Sequence, residues 1–343
     1  MITVQTASRL HFGLLSLAAG SDWPNQLGQT TSPARSYGGV GLMVQSPGLA
    51  LRIRPATEWS ARGPLAERVL EFTRRFLDYY PLDGDVFSPP LRELALPAQE
   101  IIVERSAPEH AGLGTGTQLG LAVSRGLAEA WNLPLHAKDL CRRVGRGARS
   151  ALGFHGFFQG GFLVEAGKKR PSEISPLVAR IPFPEQWRIV LIIPSGGPGL
   201  HGFEESEAFQ QLLSQGVSRK QTESLCRLVL LGILPAVLEL DFKSFGEALF
   251  EFNHRAGQAF AGVQGGAYTS PHIAELVQFI RRQGFAGAGQ SSWGPTVFAI
   301  AEDESAAHDL ASLIREAFHL QDHEIQVSSA CNRGAAVHAI QES

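Results

Sequence analysis

Residues 108–118 read Pro108-Glu-His-Ala-Gly-Leu-Gly-Thr-Gly-Thr-Gln118. They follow an apolar segment, Glu100–Arg105, that is typical of a strand, and they open a segment with helical periodicity from about Thr115 to Trp131. Glycines leave main-chain N–H groups uncovered, and the first turn of a helix adds unpaired donors and the positive end of its dipole. Composition and position therefore predict a phosphate-binding turn between a strand and a helix.

The predicted phosphate ligands of this turn are three glycines and three polar residues: Gly112, Gly114, Gly116, Thr115, Thr117 and Gln118. The order of a P-loop, G-x-x-x-x-G-K-[ST], is absent, and so is G-x-G-x-x-G. An alternative stays open, in which the glycines serve only the packing of a tight strand–helix turn. Small residues along the following helix, such as Gly120 and Gly126, indicate that another element approaches it closely.

Composition excludes several classes of protein. With 343 residues, of which 44% are hydrophobic, the chain can form two domains with sizeable cores. A net charge of −3 argues against a broad basic surface for nucleic acid or an anionic membrane. Three widely spaced cysteines exclude a disulfide framework and a Cys-rich zinc site.

The start of the sequence lacks the basic and apolar regions of a signal peptide. The longest uncharged apolar run, Leu228–Leu238, has 11 residues and contains Pro235. A membrane-spanning helix needs about 20 apolar residues. We therefore expect a cytoplasmic protein without a membrane partner.

Helical and strand-like segments are mixed in both halves of the chain, which predicts an α+β fold. Residues 167–187 contain four prolines and mixed charge and are the predicted boundary, giving domains 1–175 and 186–343. A second glycine-rich turn at 284–294 precedes a predicted strand, Thr296–Ala301.

The motif Pro-x-x-x-Gly-Leu-Gly at 108–114, followed by small hydroxylated residues, resembles the phosphate-binding motif of the GHMP kinase superfamily. The later segment Gly287–Thr296 is similar to that superfamily's C-terminal glycine-rich motif. The resemblance implies a two-domain GHMP-type fold. Its N-terminal domain would be ribosomal-protein-S5-like, and its C-terminal domain would be a ferredoxin-like α/β sandwich.

Within the superfamily, the sequence most resembles the β-ribofuranosylaminobenzene 5′-phosphate synthase branch. The similar segments, in chain order, are Ser8–Leu14, Tyr37–Leu42, Gly112–Gln118, Arg149–Gly153, Gly160–Glu165, Gln264–Gly266 and Gly289–Pro295. This resemblance implies that phosphoribosyl pyrophosphate (PRPP) condenses with 4-aminobenzoate or 4-hydroxybenzoate, releasing CO₂ and pyrophosphate. Such a reaction is an early step toward methanopterin-type one-carbon carriers. It needs no redox cofactor, and we expect Mg²⁺ to accompany the diphosphate.

An ATP-dependent small-molecule kinase of the same fold is the alternative. Kinases of the superfamily usually place an Asp seven residues before a Gly-Gly pair, here Gly160-Gly161, and that position is Gly153. Residues 151–159 contain no carboxylate. Phosphoryl transfer can proceed by positioning and electrostatics alone, so this departure disfavours a kinase without excluding it. A third possibility is a relative that binds a nucleotide without turnover.

Four residues outside the glycine-rich turns are the predicted catalytic set: Arg9, His11, Arg149 and Gln264. Arg9 and His11 lie two apart after the first predicted strand and can share one face. Arg149 has an alternative role as a cation at a helix end. Gln264 could instead form a plain contact between domains. The metal ligands are left unassigned, and small-molecule substrates and a homodimer are the expected partners.

The second glycine-rich loop supplies the other predicted site residues: Gly287, Gly289, Gln290, Ser291, Ser292 and Trp293. Trp293 could stack on an aromatic substrate or be an ordinary buried tryptophan. Three arginines at 142, 143 and 146 are predicted to form a solvated helix face.

Overall fold

The computed structural model describes residues 1–17, 35–79, 91–170, 172–195 and 219–340. The strands are β1 Ile2–Leu17, β2 Ser36–Pro55, β3 Ser60–Arg62, β4 Gln99–Arg105, β5 Phe162–Glu165, β6 Leu177–Ile181, β7 Arg188–Ile192, β8 Ala288–Gln290, β9 Val297–Ala301, β10 Ile325–Ser329 and β11 Ala336–Ala339. The helices are α1 Ala66–Asp78, α2 Thr115–Ala130, α3 Ala137–Arg143, α4 Leu152–Gln159, α5 Arg219–Leu228, α6 Leu234–Glu239, α7 Phe242–Gln258, α8 Ala261–Gln264, α9 Pro271–Arg282 and α10 Glu304–Phe318. A π-turn, Val229–Ile233, joins α5 to α6.

The described strands form two sheets. The first has the order β11-β1-β2-β4-β3, and β5 pairs with β2 and with β6. Among the described strands of this sheet, only β3 and β4 pair in parallel. The second has the order β10-β7-β9-β8 and is antiparallel throughout. Mixed sheets and helices agree with the predicted α+β class.

Helices pack on both sheets and also between them. Leu119, Val123 and Leu127 form the apolar stripe of α2 and pack with α1 and the first sheet. The absence of a side chain at Gly126 lets α2 approach Ile53, since a Cβ there would lie 2.6 Å from Ile53 Cδ1. A second core joins the sheets through α7, with the Phe12 and Phe298 rings 4.8 Å apart. β1 therefore contributes to both cores.

The first sheet takes strands from both ends of the chain. β11 pairs with β1, with Val337 opposite Val4. β6 lies at the predicted domain boundary and pairs with β5. The predicted limits 1–175 and 186–343 stay a prediction.

Local sequence misled us at two places, and one further prediction is untested. The sequence pattern predicts no helix in the glycine-punctuated segment before β5, but this segment contains α4. The N–H group of Ala151, the residue that precedes the helix, donates to the carboxylate of Glu165, 14 residues later. The sequence pattern predicts a helix over about 137–149, but the helix ends at Arg143, because Gly145 and Gly147 adopt positive φ angles of 65° and 77°. The sequence pattern also predicts a helix over about 204–215, and those residues lie outside the described part of the chain.

One described helix, predicted from the sequence over about 220–239, is long and apolar. Lys220–Glu239 runs through the π-turn for 20 residues with a mean hydropathy of 1.4, enough by length and composition to cross a membrane. Its buried residues Val229 and Ile233 pack in the core between the sheets, whereas Leu230 and Leu231 are exposed. Long helices of soluble proteins meet the same criterion, so the absence of a membrane partner stays a prediction.

Candidate functional site

The two glycine-rich loops contact each other through their main chains. A Cβ on Gly112 would lie 2.2 Å from Ser291 O, and one on Gly294 would lie 2.1 Å from Gly112 N. The Ser291 hydroxyl donates to Gly112 O over 2.8 Å. Gly112 thus serves close packing of the loops, the role left open as the alternative to anion binding.

Of the predicted phosphate ligands, Gly114 lies against Arg9, and the side chains of Thr115 and Gln118 form hydrogen bonds with other protein groups. Gly114 caps α2 with a φ of 73°, and a Cβ there would lie 3.1 Å from Arg9 Nε. The hydroxyl of Thr115 donates to Pro108 O over 2.8 Å. The Gln118 side chain is buried, donating to Gly153 O over 2.9 Å and accepting from the Thr6 hydroxyl.

Thr117 and Gly116 lie closer to solvent at the start of α2. Thr117 lines a cavity of about 310 Å³. A Cβ on Gly116 would lie 2.8 Å from Arg68 Nη2 and 3.3 Å from Arg146 Nη2. By position, the N–H groups of Thr115 and Gly116 have no carbonyl within the helix to donate to. This turn can therefore bind an anion with its first amides and Thr117.

The cavity has a cationic part and an apolar part. Its basic and hydroxyl lining residues are Arg9, His11, Thr117, Arg146, Arg149, Ser150 and Ser292. Its apolar and amide lining residues include Phe12, Leu14, Ala256, Phe260, Ala267, Trp293, Asn253, Gln264 and Gln290. None of the described lining residues is an Asp or a Glu. Anionic groups and an aromatic ring are the ligand features that suit such a lining.

Main-chain bonds fix Arg9 and His11 against both loops. Arg9 N donates to Leu113 O over 2.9 Å. His11 N donates to Ser291 Oγ over 3.0 Å, and Ser292 N donates to His11 O over 3.0 Å. Burial, with the adjacent charge of Arg9, lowers the pKa of His11 well below its ordinary value of 6.5. His11 is therefore a neutral imidazole at pH 7, and Arg9 carries the charge.

The second loop divides into packing residues and lining residues. Gly287 and Gly289 pack on α7, and a Cβ on Gly289 would lie 2.2 Å from Asn253 Oδ1. Gln290 lines the cavity, but its side chain donates to Gly294 O over 2.8 Å and accepts from Thr269 N over 3.0 Å. Its role is thus to hold the loop as well as to face the cavity.

The aromatic wall consists of two nearly buried rings. Trp293 and Phe260 are each 7% exposed, and their centroids lie 5.2 Å apart in an edge-to-face arrangement. Gln264 lies beside them and donates through Nε2 to Gly266 O over 2.9 Å and to Gly257 O over 3.3 Å. Two carbonyl acceptors set the orientation of this amide. The atom that Gln264 can offer to a ligand is therefore Oε1, an acceptor.

The prediction of a solvated arginine face is wrong for two of its three residues. Arg143 is 2% exposed and donates to Phe76 O, and its guanidinium lies 5.7 Å from the Phe76 ring centroid. Arg146 lines the cavity, with its guanidinium 4.9 Å from the Phe72 ring centroid. The end of α3 at Arg143 removes the helical spacing on which that prediction depended.

Asn253 is a site residue that the sequence patterns did not reveal. It is buried in α7 and donates to Phe12 O over 2.7 Å and to Gln290 O over 2.9 Å. Its Oδ1 accepts from Gln290 N over 3.0 Å. The sequence did contain a signal for it: Asn253 lies at a position of the helix that its periodicity predicts to be buried, and a buried Asn needs hydrogen-bond partners.

The nearest buried carboxylate does not line the cavity. Glu165 accepts from Ser150 Oγ over 2.6 Å and from Ala151 N over 2.8 Å. Burial raises the pKa of Glu165, and bonds from Ser150, Ala151 and Ser175 oppose that shift. This carboxylate holds the start of α4 and the segment next to Arg149.

The described residues do not fit a resident Mg²⁺ ion. No group of three His, Cys, Asp or Glu side chains in the described part of the chain could hold a metal. Protein-bound Mg²⁺ needs carboxylates or the oxygens of a phosphate substrate. The expected Mg²⁺ would therefore have to arrive with a diphosphate, as part of the substrate.

Two family models match the chain: "GHMP kinases N terminal domain" at residues 73–160 and "GHMP kinases C terminal" at residues 233–320. The β-ribofuranosylphenol 5′-phosphate synthase of Archaeoglobus fulgidus is 30% identical, over 98% of this chain and 99% of the relative. The chain belongs to the β-ribofuranosylphenol 5′-phosphate synthase family of GHMP proteins. The synthase of Methanothermobacter thermautotrophicus is 29% identical, over 97% of this chain and 98% of the relative.

Solved structures show the same GHMP fold. A homoserine kinase from Cytophaga hutchinsonii aligns with a TM-score of 0.65 and 16% identity, covering 98% of this chain and 97% of that chain. A mevalonate diphosphate decarboxylase from Staphylococcus aureus aligns with a TM-score of 0.59 and 14% identity, covering 99% of each chain. These confirm the predicted two-domain GHMP-type fold. The matched relatives are named for a ribofuranosylphenol product, whereas the resemblance seen in the sequence was to the synthase named for the ribofuranosylaminobenzene product.

Proposed function

We propose that this chain is a PRPP-dependent, decarboxylating ribosyltransferase that converts 4-hydroxybenzoate to a β-ribofuranosylphenol 5′-phosphate. The observation that carries this proposal is the division of one cavity into a cationic part, whose described lining residues include no carboxylate, and a part walled by Phe260 and Trp293. PRPP supplies several anionic groups, and the benzoate supplies a ring and a carboxylate. Full-length relatives named for this product support the choice.

The proposed chemistry balances without an oxidant or reductant. The ring carbon that carries the carboxylate attacks C1 of the ribose, and the C1–O bond to pyrophosphate breaks. The resulting ring is not aromatic. Loss of CO₂ returns the electron pair of the carbon–carbon bond to the ring and restores aromaticity. The product serves the synthesis of methanopterin-type one-carbon carriers.

The described side chains can bind and orient the two substrates. Arg9 and Arg149 supply fixed positive charge for phosphate or carboxylate groups. Neutral His11 can accept or donate a hydrogen bond without adding charge. Gln264 Oε1 can accept a hydrogen bond from the phenol hydroxyl of the substrate. The aromatic wall excludes water from the reacting ring.

An isotope assay tests the proposal against the kinase alternative. Purified protein is incubated with PRPP and carboxyl-labelled 4-hydroxybenzoate or 4-aminobenzoate, and released CO₂ and pyrophosphate are measured. We expect both products in equal amounts, with the hydroxybenzoate as the better substrate. ADP formation from ATP and a small alcohol, without CO₂ release, would establish a kinase instead.

A further inference from the structure

Arg146 is a cation that forms no salt bridge with any carboxylate in the described part of the chain, and the nearby Glu71 pairs with Arg75 instead. Two other arginines lie nearby, and each has a partner: Arg68 pairs with Glu109, and Arg75 pairs with Glu71 over 2.5 Å. The Nε atom of Arg146 is buried and has no hydrogen-bond partner among the described residues. A partly buried guanidinium without a counter-ion is costly to maintain.

The surroundings of Arg146 increase this cost. A Cβ on Gly116 would lie close to both Arg68 Nη2 and Arg146 Nη2, so two guanidinium groups converge on the first turn of α2. That turn carries the positive end of a 16-residue helix. Burial, with the nearby charges of Arg68 and Arg75, lowers the pKa of Arg146 to about 10, although Glu71 and Cys141 oppose that shift. Arg146 remains protonated at pH 7 despite this shift.

Packing directs the guanidinium toward the cavity. The Phe72 ring lies 4.9 Å from the Arg146 guanidinium carbon and 5.7 Å from that of Arg68. Arg146 lines the same cavity as Thr117 and Arg149. A polyanion beside Thr117 would therefore lie near the Arg146 guanidinium, which forms no salt bridge within the described part of the protein.

We propose that Arg146 binds a diphosphate group at the Thr117 side of the cavity, and that Arg9 and Arg149 serve the other anionic groups. The assignment rests on the proposed function for the identity of that group, the diphosphate of PRPP. The same chemistry is present in the β,γ-diphosphate of ATP, so the experiment includes both compounds.

Calorimetry on the full chain compares wild type with Arg146→Met, which keeps an unbranched side chain against Phe72 but removes the charge. We expect the Kd of pyrophosphate to rise at least tenfold while the Kd of ribose 5-phosphate changes less than threefold. Arg143→Met is the matched control, because it also removes a buried guanidinium from a phenylalanine ring but lies outside the cavity lining. It should leave both Kd values within threefold of wild type.

Equal weakening of both ligands in Arg146→Met, or no weakening of pyrophosphate, would overturn the proposal. A second measurement uses wild-type protein, so it does not depend on the variant folding. Phenylglyoxal modifies exposed arginines, and peptide mass spectrometry measures the modification of Arg146. Pyrophosphate and PRPP should protect Arg146 at least fivefold, and unprotected labelling at saturating pyrophosphate would contradict the assignment.

The two proposals can fail separately. Protection of Arg146 by ATP but not by PRPP, with no CO₂ released from labelled benzoate, would reject the ribosyltransferase and keep the diphosphate role of Arg146. Release of CO₂ by wild type, with unchanged pyrophosphate binding in Arg146→Met, would reject the role of Arg146 alone.

Discussion

The N–H group of His11 donates a hydrogen bond of 3.0 Å to the hydroxyl of Ser291, across 280 residues of sequence. That hydroxyl donates in turn to Gly112 O over 2.8 Å. One buried serine thus connects β1 with both glycine-rich loops. The positions of Arg9 and His11 in the cavity depend on this connection.

Replacement of Ser291 by Ala should break this connection. It leaves a buried N–H group and a buried carbonyl without their partner, which costs about 1–3 kcal/mol of unfolding free energy. We also expect kcat/KM for PRPP to fall, because His11 loses its fixed position. Urea unfolding and steady-state kinetics measure the two effects. Ser312→Ala, on the exposed face of α10, should change neither value measurably.

Replacement of Gly112 by Ala should separate the two loops. The new Cβ would lie 2.2 Å from a main-chain oxygen, in addition to the strain of a positive φ. Gly284→Ala is a matched control, because Gly284 has a φ of 94° and no heavy atom of the described residues lies within 4 Å of the point that its Cβ would occupy. The control should lose about 1–2 kcal/mol of unfolding free energy, from backbone strain alone. Gly112→Ala should lose at least twice as much, and equal losses would argue against tight loop contact.

Replacement of Arg9 by Ala should weaken one of the two anionic substrates. Loss of a charged hydrogen bond costs about 1.5–3 kcal/mol, so one KM should rise roughly 10- to 100-fold. Arg62→Ala removes an arginine that is 72% exposed and pairs with Glu100 outside the cavity. Both KM values should stay at the wild-type level in that control. Unchanged KM values in Arg9→Ala would remove Arg9 from substrate binding.

His11 should make the protein less stable in mild acid. Its pKa in the folded state lies below 6.5, so the unfolded chain binds a proton more readily. The stabilisation is therefore present above pH 6.5 and is lost as the pH falls toward the folded-state pKa. Chemical unfolding of wild type and His11→Asn between pH 7.5 and 5 tests this.

The unfolding free energy of His11→Asn should decrease less than that of wild type when the pH is lowered from 7.5 to 5. His155, whose pKa burial also lowers, should account for some of what remains. His338→Asn, an exposed position on β11, should leave the slope unchanged. An unchanged slope in His11→Asn would show that His11 is not held in its neutral form by the fold.

Replacement of Trp293 by Leu should affect the aromatic substrate selectively. An aromatic contact contributes about 0.5–1.5 kcal/mol beyond burial, so KM for 4-hydroxybenzoate should rise about three- to tenfold. KM for PRPP should change less than twofold. Trp59→Leu is the control, because Trp59 also makes an edge-to-face pair, with Trp131, far from the cavity lining. If KM for PRPP rises instead, the aromatic ring of 4-hydroxybenzoate does not bind against Trp293.

Local patterns in the sequence were enough to establish the family, the fold class and most elements with strong periodicity. Helix α2 follows from the stripe of Leu119, Val123 and Leu127, because a 3.6-residue period is a local property. The glycine-rich loops could also be recognised from local sequence, because glycine allows main-chain conformations that other residues rarely adopt. Arg9, His11, Arg149 and Gln264 were chosen by resemblance, and the fold brings them into one cavity.

The roles of individual residues in the loops and in the cavity depend on contacts that form only when the chain folds. Gly112 and Gly289 also serve close packing, because a Cβ on either residue would clash with Ser291 or Asn253, which belong to other parts of the fold. Helix α4 depends on Glu165, a carboxylate supplied by a later strand. Arg146 looked solvated because its neighbours in sequence are polar, but its environment is set by Phe72 and Gly116. Contacts between distant residues carry no local periodicity, so only the folded chain reveals them.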